Sequence, residues 1–587
     1  PELQAAGAKV VQLRVSAAFH SRYMRPAREA FALFLREFSF ASPRFPVISN
    51  VEARPYEDGR VAELLARQID SPVLWTDTVR YLLSRGEQHF EEVGPGQVLT
   101  GLIRQVRQAP PPPEAPASVS VAPAPAAPTP VSPGVIRADS LGSRAFREAH
   151  GVRLAYVAGS MYKGISSKEL VVRMGRAGLI GFLGTGGVPL ERIEADLREI
   201  QSRLRPGEAY GVNLLHSFER PAREEQLVEL LLRHGVRNIE AAAFLRLTPA
   251  LVRYRVRGLR RRADGLVEAP HRVLAKVSRP EVARLFMSPA PEALLEELVR
   301  AGHLTSEEAR LAREVPMAED ICVESDSGGH TDQGVAGALL PSMMMLRDRM
   351  MAEHGFKTRI RVGAAGGIGT PEAAAAAFIM GADFILTGSI NQCTVEAGTS
   401  EPVKELLETL DVQDTTCAPA GDMFELGAKI QVVRRALFFP ARANRLFALY
   451  QQYESLEAMD EQTRKQLQEK YFRRSFEEVW EETRRYYLRV DPPMVELAER
   501  EPRKKMALVF RWYFVHTTRL ALRGDREQKT DYQIHCGPAL GAFNQWVRGT
   551  PLASWRNRHV DEIAFKLMEG TAEHLERQLQ LLRGAAG

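Results

Sequence analysis

Cysteine is scarce: four residues in 587 (Cys322, Cys393, Cys417 and Cys536), with no CxxC and no even framework spacing. That pattern argues against a disulfide-stapled scaffold and against a zinc site, and it fits a reducing compartment, so a cytoplasmic location is expected. Long apolar runs are missing as well. No uncharged stretch reaches the roughly 18 residues a membrane span needs, and the chain is expected to be soluble with no membrane partner. Position 1 is Pro rather than Met and no signal-like segment follows, so the chain is expected to start inside a larger protein. The net charge is only +5 and Arg-dominated, with its densest run at Tyr254-Arg-Val-Arg-Gly-Leu-Arg-Arg-Arg262. No aromatic platform or binding motif accompanies that run, which argues against nucleic acid. It reads as a solvated face, and a basic surface would also suit an acidic partner.

What is present begins with length, enough for about three or four domains at roughly 150 residues each. The clearest boundary is Ala109 to Pro133, APPPPEAPASVSVAPAPAAPTPVSP, a Pro/Ala tether that cannot bury a core. Taken to 109–138, this linker separates a segment 1–108 from the rest. Downstream, apolar strand-like runs alternate with helical patterns: Arg153–Ala158, Leu179–Leu183, Ala209–Leu214, Asn238–Ala241, Val273–Val277, Asp320–Glu324, Arg359–Val362 and Asp383–Leu386. Helices are expected at Ser167–Arg176, Leu190–Leu204, Glu224–His234, Val335–His354 and Pro371–Met380, the last opened by a Thr-Pro-Glu start signal. Eight strands with crossover helices over 139–404 describe an α/β fold of the (β/α)8 TIM-barrel type. Beyond about Ser400 the pattern turns to amphipathic helices rich in Arg, Glu and aromatics, expected as a helical substrate or cap domain over 405–587.

The stretch SDSGGHTD, Ser325 to Asp332, admits three readings. A protease-like nucleophile at Ser327 needs a His and an Asp placed by a different fold. A metal site needs further His or Cys at ligand spacing, and none is near. As the loop that closes the sixth barrel strand, it lies at the face where catalytic groups of such barrels gather, and Ser327 becomes a turn residue. Strand seven ends in Ala364-Ala-Gly-Gly-Ile-Gly369 and strand eight in Leu386-Thr-Gly-Ser-Ile390. Loops at those two positions commonly build a phosphate site, so Gly366, Gly367, Gly388 and Ser389 are candidates, the alternative being tight turns alone. At the same face stand Ala158, Gly159 and Ser160 after strand one and Asn213 on strand three. Asn213 offers an amide to a polar ring edge or caps a buried turn. Lys276, at the end of strand five, needs a charged or carbonyl partner there; it meets a cofactor edge or pairs with a carboxylate.

The runs VESDSGGHTDQ (Val323–Gln333), GAAGGIGTPEAAAAAFIMGADFILTGSINQCTVEAGTS (Gly363–Ser400), APAGDMFELGAKIQVV (Ala418–Val433) and FRWYFVHTTRLALRGDREQKTDYQIHCGPALGAFNQW (Phe510–Trp546) resemble the PfaD-type trans-acting enoyl reductases. The resemblance spans Leu141 to the end. It implies a flavin barrel with a helical substrate domain, related to nitronate monooxygenases and to flavin-containing bacterial enoyl-ACP reductases. It further implies FMN as cofactor, NADPH as reductant, and hydride delivery to the β-carbon of an α,β-unsaturated thioester. Gly328 and Gly329 are then expected to approach the flavin. His330 is the candidate catalytic side chain, because the histidine of the matching loop in nitronate monooxygenases acts on substrate; solvent or the cap is the other possible proton source. The loop continues Thr331-Asp332 rather than with the Gly of simpler nitronate monooxygenases, which favours the reductase branch.

Within 1–108, the runs Arg14–Met24, Phe45–Asn50, Ala66–Trp75 and Phe90–Leu99 resemble the carboxyl-terminal part of a malonyl-CoA:ACP acyltransferase. The resemblance implies His20 as general base and Gln68 as a substrate-holding residue, with Phe19 suited to malonyl units. The Gly-His-Ser-x-Gly elbow of such enzymes is absent from these residues, and a base without its nucleophile forms no acyl-enzyme. The leading expectation is therefore a tandem acyltransferase–enoyl reductase protein acting on acyl carrier proteins of a polyketide synthase. A nitronate monooxygenase and a non-catalytic docking subunit are the alternatives.

Overall fold

The computed structural model describes residues 20–21, 24–36, 38, 40–41, 43, 45–57, 59–93, 98–108, 136–216 and 221–584. Phe19 and the linker from 109 to 135 lie outside them. The chain divides into two compact units, Pro1–Ser132 and Pro133–Gly587. Among the described residues no helix is long and apolar enough to cross a membrane.

The first unit carries helices Arg25–Leu35, Val61–Gln68, Trp75–Ser84 and Val98–Gln108. Leu64, Ala66 and Val79 form the buried side of the middle pair. Asp70 accepts from Arg28 at 3.2 Å and ties the end of the second helix to the first.

In the second unit all eight expected runs become strands of one closed parallel barrel. Leaving aside the short antiparallel pair Arg260–Arg261 and Val267–Glu268, the strands in chain order are β1 (Tyr156–Ala158), β2 (Ile180–Leu183), β3 (Gly211–Leu215), β4 (Asn238–Ala242), β5 (Arg272–Val277), β6 (Asp320–Glu324), β7 (Gly329–His330), β8 (Arg361–Ala365), β9 (Ile385–Thr387), β10 (Thr415–Pro419) and β11 (Lys429–Val433). The barrel closes in the order β1-β2-β3-β4-β5-β6-β8-β9 and back to β1. β1, β2 and β8 are buried along their whole length, as strands covered on both faces must be. The crossover helices start where the sequence places caps: Ser167 accepts from Leu170 N, Thr370 from Ala373 N, and Thr305 with Glu308 forms a capping box. The lumen is filled by Val157, Phe182, Leu274, Cys322, Phe384 and their neighbours. Phe146, from helix Arg144–His150, plugs its lower end and stacks on Phe384 with 4.4 Å between ring centroids.

Segment 405–587, expected as one helical domain, contributes to two cores. Residues from Ala418 to Phe514 build a separate apolar cluster around Phe424, Phe439, Phe472 and Tyr513. Residues from Tyr532 to Ala572 join the barrel core, and helix Val560–Gly584 lies on helix Pro371–Ile379, with Gly570 facing Pro371. The cap is also not purely helical. β10 and β11 pair antiparallel, and β11 then pairs with the two-residue β7. The loop after β6 is thereby sewn into the cap.

The arginine run at 254–262 is not a free basic face. Arg255 is buried and donates to Glu319 at 2.9 Å and to the Pro316 and His271 carbonyls. Arg260, Arg261 and Arg262 pair with Glu268, Glu314 and Asp264, and Arg257 donates to the His303 carbonyl. Carboxylates near in the chain (Asp264, Glu268) and distant in it (Glu314, Glu319) thus offset most of the charge that the run presents as a string of letters.

Candidate active site

The parallel register brings the carboxyl ends of the barrel strands to one face, where such barrels carry their chemistry. Glu240, in the middle of β4 and beside Asn213 in register, is completely buried. It accepts from Ser160 N at 2.9 Å and from Ser160 Oγ at 2.6 Å. Lys276 Nζ lies 3.7 Å from Glu240 and 3.0 Å from Glu324, whose carboxylate also accepts from Ser327 Oγ at 3.0 Å. Burial pushes the Glu240 carboxyl above its ordinary range despite Lys276 and Ser160. For Lys276, burial works against the ammonium, but Glu324 and Glu240 outweigh it and hold its pKa above the usual lysine value. Ser160, Glu240, Lys276, Glu324 and Ser327 therefore form one continuous polar floor under the barrel mouth. Asn213 is buried beside it, donating to the Glu240 carbonyl at 3.1 Å, while Thr185 Oγ1 donates to the Asn213 carbonyl at 2.9 Å. Of the two readings of Asn213, the buried structural one accounts for its donor here.

The glycines separate by what surrounds them. Gly159 packs on Leu386, and its N–H donates to the Thr387 carbonyl, holding Ala158 and β1 to β9. A Cβ on Gly366 would stand 2.6 Å from the Ser325 carbonyl oxygen, so this glycine lets the loops after β6 and β8 touch. Gly367, at φ +73°, and Gly388 face open space, where an added Cβ meets nothing within 4 Å. Those two are the positions whose small size is left for something other than the chain. Ser389 Oγ accepts from Gly537 N at 2.9 Å. The close approach at Gly328 is to the chain's own backbone, since a Cβ there would stand 2.9 Å from Cys536 Cα and 3.0 Å from Gly537 N.

His330 sits on β7, opposite Ile430 of β11, and its Nε2 is 2.9 Å from Asp422 Oδ1 in the loop between β10 and β11. Burial opposes protonation of the ring, but the Asp422 hydrogen bond and charge, with Glu324 behind, raise its pKa above the ordinary histidine value. Asp332, in the same loop, is gripped by Arg279 through two bonds of 3.0 and 2.7 Å. The loop after β6 is thus held from the barrel by Arg279 and from the cap by β11 and Asp422. Among the described residues no cluster of His, Cys, Asp or Glu could hold a metal ion.

Several groups of this face escape a reading of the sequence. Glu240, in the middle of the apolar strand Asn-Ile-Glu-Ala-Ala, and Glu324, at the end of Asp-Ile-Cys-Val-Glu, are acids in otherwise apolar strands, a signal that could have been used. Asp422, Gln533 and His535 carry no local signal, because the cap and the return segment bring them in. In the first unit, His20 and Gln68 do come together. His20 Nδ1 is 2.9 Å from the Gln68 backbone carbonyl oxygen and 3.3 Å from the Gln68 carboxamide nitrogen.

A closed parallel barrel with a cap woven into its sixth loop and a buried acid–lysine floor defines a capped α/β barrel, and the solved structures like it include an enoyl reductase domain. The crystal structure of the enoyl reductase domain of MlnA, from the macrolactin biosynthesis cluster of Bacillus amyloliquefaciens, is 46% identical with a TM-score of 0.73, covering 76% of this chain and 99% of that one. The polyketide biosynthesis protein PksE of Bacillus subtilis (strain 168) is 52% identical over 572 residues, 97% of this chain and 74% of PksE. The chain belongs to the PksE family of polyketide biosynthesis proteins. The family model for the inserted helical domain of [acyl-carrier-protein] S-malonyltransferase matches residues 453–532, within the cap. The malonyl CoA-acyl carrier protein transacylase BaeC of Bacillus velezensis is 56% identical over 95 residues, 16% of this chain and 33% of BaeC.

Proposed function

We propose that the barrel unit is an FMN-dependent, NADPH-using enoyl reductase that saturates α,β-unsaturated thioesters carried on acyl carrier protein during polyketide assembly. The observation that carries this reading is the junction at the barrel mouth. There the polar floor, the two open glycines Gly367 and Gly388, and a histidine braced by Asp422 meet on one face. The residues fit an FMN: Gly367 and Gly388 leave room for a phosphate at the ends of β8 and β9, and Lys276 with the Ser160–Glu240 pair offers polar groups to a ring edge. Bound there, FMN would relay two electrons from NADPH to the substrate β-carbon. His330, whose pKa Asp422 raises, supplies the proton that the α-carbon needs. In an anaerobic absorbance assay, NADPH bleaches the flavin and an enoyl thioester restores its colour. A flavin that reoxidises only with oxygen and a nitronate, leaving the enoyl thioester untouched, would point to the oxidase chemistry instead.

The Asp422 bond has a pH consequence. His330 faces Asp422 from the cap, Glu324 from β6 and His535 from the return segment. Its raised pKa keeps the proton in place beyond the ordinary histidine range, and the reaction slows as pH climbs through that raised value. Asp422→Asn removes the charge that raises it, so the alkaline limb of the kcat profile moves to lower pH. An unmoved limb would separate Asp422 from the titration.

For the first unit we propose an acyltransferase portion in which His20 is the base and Gln68 a substrate-side residue. The shorter of the two Gln68 contacts, to the backbone carbonyl, supports a proton on Nδ1 and leaves Nε2 basic, while the longer one, to the carboxamide nitrogen, favours the other tautomer. Leu33, Phe34, Phe45 and Val98 are exposed, as suits a unit that further acyltransferase chain would cover. With no Gly-His-Ser-x-Gly elbow in these 587 residues, they are expected to transfer no malonyl group from CoA to acyl carrier protein. Malonylated carrier protein in a mass-spectrometric assay with this chain alone would refute that statement.

A further inference from the structure

His535 lies on the return segment after the cap. Tyr532, Ile534 and Cys536 are buried in the barrel core, so alternation along this extended stretch turns Gln533 and His535 the other way. The stretch is held in register by Val433 N to the Ile534 carbonyl at 2.9 Å and by a bridge between Val432 and His535. The imidazole stacks on Tyr162, from the loop after β1, with 5.6 Å between centroids and 15° between planes. On its other side lies the loop after β6, where a Cβ on Gly329 would stand 3.6 Å from His535 Nδ1. The ring therefore sits at the barrel mouth between the two loops that flank the candidate site.

Its hydrogen bonding sets the tautomer. The Gln533 carboxamide nitrogen is 2.8 Å from His535 Nε2, and Gln533 Oε1 lies 3.3 Å from the Thr517 hydroxyl, whose nearest acceptor is the Tyr513 carbonyl at 2.9 Å. An amide N–H donates, so Nε2 accepts and the ring proton is on Nδ1. Burial, reinforced by the nearby His330, pushes the pKa of His535 down to about 4, while that of His330 goes up. Two neighbouring titratable groups driven apart in this way mark a division between acid and neutral roles. The charged and titratable groups around the pair are Asp422 from the cap, Glu324 from β6 and Tyr162, the last also within the fields of Arg519 and Tyr486.

We propose that His535 is the neutral hydrogen-bond donor of the reductase site, its Nδ1–H serving the thioester carbonyl oxygen of the substrate, with Gln533 as the residue that fixes this tautomer. The assignment rests on the enoyl reductase reading. NADPH is the reductant. The hydride's electron pair becomes the new C–H bond at the β-carbon, and the C=C π pair moves toward the carbonyl, whose oxygen accepts from Nδ1–H. The electrons then return to the α-carbon as it takes the proton of His330, which is replaced from solvent. A neutral donor keeps its proton throughout, so His535 stabilises charge on oxygen without competing with His330 as acid.

His535→Phe keeps a ring against Tyr162 and removes the donor. In the full chain, NADPH bleaches the flavin of this variant as fast as that of wild type, while reoxidation by a crotonyl thioester slows by about 10²–10³-fold, the loss typical of one oxyanion donor. Reoxidation at the wild-type rate overturns the proposal. Wild-type flavin that fails to bleach with NADPH overturns the reductase reading and this assignment together, and is told apart because the defect then precedes any substrate. A second measurement needs neither turnover nor a folded His535 variant. In ¹⁵N-histidine-labelled wild type, with signals assigned through their shift in Gln533→Glu, His535 shows a neutral Nδ1–H ring from about pH 5.5 to 8. An Nε2–H tautomer, or titration within that range, overturns the proposal.

Discussion

His330→Ala lowers the rate of enoyl-thioester reduction by about 10²–10⁴-fold, the contribution of a positioned general acid, with flavin content unchanged. The separation of the two readouts follows from how the residue is held. Pairing of β7 with β11 runs through the backbone, Gly329 opposite Gln431 and residue 330 opposite Ile430, so alanine keeps the strand and the loop position. The side chain itself reaches Asp422 in the cap rather than the floor formed by Ser160, Glu240 and Lys276. Loss of rate with normal bleaching by NADPH places the defect in the substrate half of the cycle. Full reduction by His330→Ala would remove His330 from the chemistry and leave solvent as the proton source. Loss of flavin would instead make the histidine a structural part of the loop.

Arg361→Met destabilises the barrel by about 3–5 kcal/mol, the cost of stripping the partner from a buried charge. Asp320, the first residue of β6, is completely buried and takes two bonds from Arg361, at 2.6 and 2.8 Å, and one contact from His150 Nε2 at 2.9 Å. Burial alone would raise the Asp320 carboxyl, but Arg361 and then His150 overcome it and hold the pKa far below the ordinary value. A carboxylate depressed in the folded state contributes stability in full above its ordinary value of 3.8 and loses it as pH falls below, so the contribution is complete at neutral pH. These residues sit at the amino ends of the strands, opposite the candidate site, where substitution affects stability rather than chemistry. The measurement is urea unfolding, with a lower midpoint at an unchanged slope. A shift worth under about 1 kcal/mol would mean that His150 and water suffice for Asp320.

Much of the barrel is legible in the sequence because each strand and crossover helix is specified locally. Runs such as Asn238–Ala241 and Asp320–Glu324 are short and apolar, and helices such as Pro371–Ile379 begin with Thr-Pro-Glu; neither signal needs a distant partner. Strand ends shift where register is shared with a neighbour, as in β8, which runs on to Ala365 because Ala364 and Ala365 pair with Val323 and Glu324. The two strands of the cap, Thr415–Pro419 and Lys429–Val433, are not legible beside strongly helical neighbours, since their stability comes from pairing with each other and with β7.

The sequence by itself determined a (β/α)8 barrel behind a Pro/Ala tether, the glycine loops after its last two strands, and the place of the SDSGGHTD loop at the catalytic face. Only the tertiary structure decided what that loop meets. Asp422 braces His330 from the cap, His535 and Gln533 arrive on a segment that returns after it, and Glu240 with Glu324 flanks Lys276. It also decided that Arg255 and Arg261 find carboxylates, Glu319 and Glu314, elsewhere in the barrel unit. The physical reason is common to all of these. Periodicity and capping are properties of adjacent residues, whereas the partner of a charge or the proton position on a ring is set by register and packing between segments far apart in the chain.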